Sequence, residues 1–157
     1  MNKKQSVRTT LLFFMALWTT ACMVVVSPPR PRHVVQHPNY LQALSDLRMA
    51  RAYLGRADSP DLIGPQGAAM GQVDAAIDAI WSASIHDGQN PHYQPPIDMS
   101  LTRGNRFHKI MQLLNSARGN CAREEDDVRT RGLRARAIGS IDNARNILAN
   151  QILPIVG

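Results

Sequence analysis

Two cysteines, five histidines and twelve acids are the residues of this 157-residue chain with chemistry to offer, and their spacing decides which chemistry. Cys22 follows directly on Thr19-Thr20-Ala21, small residues that close an apolar run from Leu11 to Trp18. Lys3, Lys4 and Arg8 precede that run. Basic start, apolar centre and small-residue end are the parts of an export signal. A cysteine at the cleavage point makes Cys22 the expected lipidation site after loss of residues 1–21. Two other outcomes stay open. Cleavage at Ala21 without lipid gives a soluble periplasmic or secreted product. An uncleaved anchor would use Leu11 to Val26, 16 residues, short of the ~20 that span a bilayer. The second thiol, Cys121, is left as a lone buried cysteine if Cys22 carries lipid, or as a disulfide partner if it does not.

The acids offer less than their number suggests. Glu124–Asp127 (EEDD) is flanked by Arg123, Arg129 and Arg131. Four neighbouring carboxylates suit a divalent cation, but successive helical residues point in different directions, so one ion cannot use them all. A capping role for Asp126 or Asp127 at the next helix needs no further assumption. Asp74, Asp78 and Asp142 border apolar stripes in VDAAIDAI and IDNA. Acid–base work would require split pKa values and a reacting partner. Pairing with arginines such as Arg48, Arg51 or Arg106 is the simpler expectation.

His33 and His37 have metal-pair spacing but sit among prolines, and His86, His92 and His108 are scattered. No Glu-x-x-His pair for a di-metal bundle and no Cys-x-x-Cys-His for haem occurs. A haem held by a methionine and His108 is the remaining cofactor arrangement, and methionines on helical stripes are ordinarily core. Nucleophile elbows, phosphate-binding glycine loops and His-Glu-x-x-His are absent as well. The expectation is therefore no enzyme, no cofactor and no metal site.

The signal also distorts the charge. The formal +6 falls to about +3 once Lys3, Lys4 and Arg8 are removed, and a balance that weak argues against nucleic acid as partner. Of the remaining basic residues only Lys109 is not arginine. Arg129, Arg131, Arg134 and Arg136 cluster, yet scatter around a helix rather than lining one face. An anionic envelope surface could meet part of them.

The elements that must position these residues read as helices. Residues 22–38 carry Pro28, Pro29, Pro31 and Pro38 and form an extended tether. A first helix is expected over 39–56, with Asn39 as cap and Leu41, Leu44, Leu47 and Leu54 inward, joined by Ala43, Ala50 and Tyr53. Residues 57–66 read as a loop. The second helix, 67–87, turns Met70, Val73, Ile77, Ile80 and Ser84 inward, with Trp81 and Ile85 flanking. A proline-rich loop covers 88–101. The third helix, 102–125, aligns Phe107, Ile110, Leu114, Ala117 and Cys121. The fourth, 128–153, aligns Leu133, Ala137, Ile141, Ala144, Leu148 and Ile152 and ends at Pro154. No segment alternates like a strand. Four amphipathic helices can bury their stripes only against one another, so the expected fold is all-α, an antiparallel up-down four-helix bundle over 39–154.

Four segments also resemble a known group. HPNYLQALSDLRMAR (37–51), VDAAIDAI (73–80), PPID (95–98) and RGLRARAIGSIDNA (131–144) look like successive segments of small uncharacterised exported bacterial four-helix proteins. The resemblance implies a four-helix domain behind an export signal and brings no activity, cofactor or site residue.

The functional expectation is a non-enzymatic protein of the cell envelope or periplasm that acts by binding. It would be held to the membrane by lipid on Cys22. Another envelope protein or an anionic polymer would be met through polar helix faces or the 88–101 loop. The alternative is a carrier of a small ligand or metal inside the bundle, with His108, Asp74 and Asp142 as its residues.

Overall fold

The computed structural model describes residues 37–84, 95–124 and 132–156. These are almost wholly helical: α1 (Pro38–Leu54), α2 (Pro60–Ser84), α3 (Arg103–Arg123), α4 (Leu133–Ile147) and a short α5 (Leu153–Val156). No strand occurs among the described residues, and none of their helices is long and apolar enough to cross a membrane. The expected signal with Cys22, and nearly all of the expected tether, lie outside them.

Each helix end is explained by its neighbours. Pro38 opens α1 at the position where a missing N–H costs least. Asn39 is not the cap. Its backbone N–H donates to Glu124 Oε2 at 3.0 Å, so a carboxylate from the end of α3 neutralises the positive end of α1. At the other end of α1, Gln66 Nε2 donates to the carbonyls of Leu54 and Arg56 (2.5 and 2.8 Å), groups a helix terminus otherwise leaves unpaired.

That bond belongs to the first departure from the sequence reading. The segment 57–66 is not a loop, because α2 already begins at Pro60 and runs through Pro65. Pro60 takes the first helical position, and Pro65 spares only a bond to Asp61 near the exposed start. Burial of Leu62 in the core and the bonds of Gln66 to the end of α1 outweigh that loss. The inward line of α2 is also rotated. It reads Leu62, Gln66, Ala69, Val73, Ala76, Ile80, Ala83, while Met70 and Ile77 are only half-buried. Alanines in the seam let helix axes approach closely, and the larger side chains close its flanks.

The third stripe stands as read: Phe107, Ile110, Leu114, Ala117 and Cys121 are fully buried. The fourth helix differs at both ends. Gly132 takes φ 80°, a left-handed conformation that suits glycine, and α4 starts only at Leu133. Pro154 does not end the helix. Leu148–Ile152 widen into a π turn in which the Leu153 N–H reaches the Leu148 carbonyl. The wider turn relieves the crowding that a proline ring imposes on the preceding turn.

The helices form a ring in which α1 touches α2 and α3, and α4 touches α2 and α3. α3 starts beside the end of α1, where Arg103 and Arg106 bond Asp58, and finishes beside its start, where Glu124 meets Asn39. α4 leaves from that same end, with Arg134 Nη1 on the Glu124 carbonyl at 2.5 Å. It returns so that the Val156 carbonyl lies against Gly104. The succession is therefore up, down, down, up, not the expected alternation. The chain crosses the length of the bundle between Ser84 and Arg103, about 37 Å for a helix the length of α2. A connection of that span frees α3 to start at either end, which a short loop would not.

Candidate functional site

The polar side chains gather in four places. At the start of α1, His37 Nδ1 lies 3.3 Å from Glu124 Oε1, and the carboxylate is almost wholly enclosed. Midway between α1 and α3, buried Asp46 accepts from Ser116 Oγ (2.7 Å), Asn120 Nδ2 (3.4 Å) and Gln42 Nε2 (3.4 Å). On the outer surface, Arg118 and Arg145 converge on Asp142 (2.9 and 2.7 Å). Burial alone would raise the Asp142 pKa. The hydrogen bonds and charges of Arg118 and Arg145 outweigh it and hold the carboxyl below its ordinary range.

The fourth place is the end where α1 gives way to α2 and α3 begins. Asp58 is 3% exposed at its side chain and is held by Arg103 Nε at 2.9 Å and by Arg106 Nη2. The Ser59 N–H adds a third bond at 3.2 Å. The buried Arg106 guanidinium also covers the Phe107 ring at 4.8 Å. Its pKa is lowered by burial and then by the charge of Arg56 beside it. Two hollows flank this end. One, of about 250 Å³, lies between Arg56, Asp58, Ile63, Gln66 and Met70. The other, of about 470 Å³, is an open groove between Tyr53, Asp98, Leu101, Asn105, His108 and Lys109. Tyr53 Oη accepts the Asp98 N–H at 3.0 Å and ties the approach to α3 onto α1. Asp98 accepts from the Ser100 hydroxyl and N–H, which lower its pKa.

The residues singled out from the sequence do not assemble. His108 is exposed and lines the groove. Asp74 is on the surface, paired with Arg51 as expected. Asp142 pairs with Arg118 and Arg145, and Asp78 is exposed. Arg106 serves Asp58 instead of Asp74, Asp78 or Asp142. Arg48 is buried in α1, which lowers its pKa. Of the EEDD run only Glu124 is described. Asp126, Asp127, Arg129, Arg131, His33, His86 and His92 lie outside the described residues, as does Cys22. Cys121 is a free, fully buried thiol whose pKa burial pushes up to about 12. Among the described residues no group of three His, Cys, Asp or Glu side chains is placed to hold a metal.

The Asp58 cluster is invisible in the sequence pattern, because segment 57–66 reads as a loop with no partner implied. One signal was available. Arg103 and Arg106 open a helix whose first turn holds no acid, against the preference of a helix N-terminus for negative charge. Cations there imply an anion nearby. Comparison with family models, with curated proteins and with solved structures finds no match.

Proposed function

We propose that this chain is an exported, non-enzymatic protein of the cell envelope. In this reading an antiparallel four-helix bundle acts by binding another envelope protein or an anionic polymer, held to the membrane by lipid on Cys22. One observation carries the choice of a binding surface over an interior carrier. His108, Asp74 and Asp142, the residues a carrier would need, lie on separate outer surfaces, two of them bonded to arginines. The core is packed mainly with apolar side chains, and the carboxylate of Asp46 buried within it is already bonded to Ser116 and Asn120. The groove at Tyr53, Asp98 and His108 offers polar groups on an open face and takes Asp98 and Leu101 from the end of the 88–101 loop. The resemblance of residues 37–51, 73–80, 95–98 and 131–144 to small exported four-helix proteins is consistent with this reading and adds no activity to it.

Native mass spectrometry of the protein taken from its own envelope tests the proposal. The expected species has lost residues 1–21, carries acyl mass on Cys22 and retains a macromolecular partner. A bundle that instead retains a stoichiometric small molecule or metal overturns the binding-module reading in favour of the carrier. A soluble species with free Cys22 overturns the anchor.

A further inference from the structure

The corner at the end of α1 holds more guanidinium than its buried carboxylate can use. Arg103 and Arg106 share Asp58, and Arg56 stands close enough to Arg106 to depress its basicity. Nη1 of Arg56, Nε of Arg106 and Oγ of Ser59 are buried with no hydrogen-bond partner. Buried polar atoms are ordinarily bonded, and these exceptions flank Asp58 in sequence (Arg56, Ser59) or bond it (Arg106), which calls for a cause. Guanidinium nitrogens only donate, so what they lack is an acceptor. The other acids at this end do not supply a bond: Asp61 is exposed, and Asp98, near enough to feel the charge of Arg56, is exposed and bonded to Ser100 instead. Arg106 itself is 4% exposed, whereas the Arg103 side chain is half-exposed and stands at the mouth of the corner. The 250 Å³ hollow opens beside Arg56.

We propose that this corner binds a phosphate-type oxyanion, received by Arg56 and Ser59 with Arg103 at its rim. Several acceptor oxygens on one tetrahedral centre can serve guanidinium forks and a hydroxyl together. The inference does not rest on export or on lipidation of Cys22. The oxyanion has two sources of the same chemistry, free phosphate and a phospholipid headgroup. Exposed Ile63, Met99 and Ile155 all lie at this end of the bundle and would suit the apolar part of a lipid.

The test is thermal unfolding of the full chain at matched ionic strength. The probes are inorganic phosphate and short-chain phosphatidylglycerol below its micelle concentration, with chloride as control. A saturable rise of about 5–10 °C is expected at roughly 100 times the dissociation constant. In Arg56→Ala the rise disappears while the midpoint without probe stays near that of the parent. Arg56→Gln serves the same purpose if the alanine variant unfolds early. A rise with phosphate assigns free phosphate, and a rise with phosphatidylglycerol alone assigns a headgroup. Either supports the site. No rise with either probe, a rise that never saturates, as in general salt exclusion, or one that survives loss of Arg56 overturns it.

Discussion

Ala76→Leu asks which line of α2 faces the core. Ala76 is fully buried on the face of α2 that includes Ala69, Val73, Ile80 and Ala83, and α4 packs against α2 with Ala137 and Ala144 buried. A leucine there adds an isopropyl group where close approach of helices leaves no room. Overpacking of this kind costs about 1–3 kcal/mol. At roughly 4 °C per kcal/mol for a domain of this size, the midpoint falls by ~4–12 °C. Ile77 is half-buried at the flank, so Ile77→Ala loses only part of the ~2–5 kcal/mol of a core truncation, about 1–2 kcal/mol. Were the core line Met70–Val73–Ile77–Ile80, the order would invert. Leucine at 76 would then be nearly neutral, as surface changes are, and Ile77→Ala would cost the full amount. Urea unfolding followed by helical circular dichroism measures both, with an unchanged slope as the check that the unfolded state is unaffected. A null effect of Ala76→Leu together with a large effect of Ile77→Ala would refute the rotated face.

Two further outcomes follow from titratable groups. Cys121, with its thiol pKa near 12, is expected to resist alkylation at pH 8 until the chain unfolds, and rapid labelling of the native protein would contradict its burial. Asp142 has a folded pKa below its unfolded value, so its contribution is present above the ordinary carboxylate range and is lost as pH falls through the depressed folded value. Asp142→Asn should therefore flatten the fall in stability below about pH 4, and an unchanged acid limb would show that the Arg118 and Arg145 contacts contribute nothing.

The third helix was legible because large apolar residues on one side of it alternate by three and four with no competitor. The second was not. Pro60, Gly64, Pro65 and Gly67 read locally as chain breakers, and what overrides them is non-local: the burial of Leu62 in the core and the bonds of Gln66 to the end of α1. Its alanines are equally ambiguous, since small apolar residues fit a tight seam or a surface, and only the neighbour decides. The direction of α3 depends on where a long connection ends, which no local pattern encodes. The Asp58 cluster joins the α1–α2 connection to α3 across 45 and 48 positions, too distant for any spacing rule. Lone arginines at the start of a helix were its one local trace.

The succession up, down, down, up also bears on the order of events in folding. Each hairpin, α1 with α2 and α3 with α4, is joined by a short connection, yet the principal partner of α1 is α3 and that of α2 is α4. Each half therefore packs chiefly against the other. Closing α1 on α3 means closing a chain segment tens of residues long, at an entropic cost that rises with its logarithm. Such a chain should fold more slowly than a bundle of nearest-neighbour hairpins. Cut within residues 85–94, it should yield two fragments, each soluble only poorly and unstructured by itself, that regain helicity when mixed.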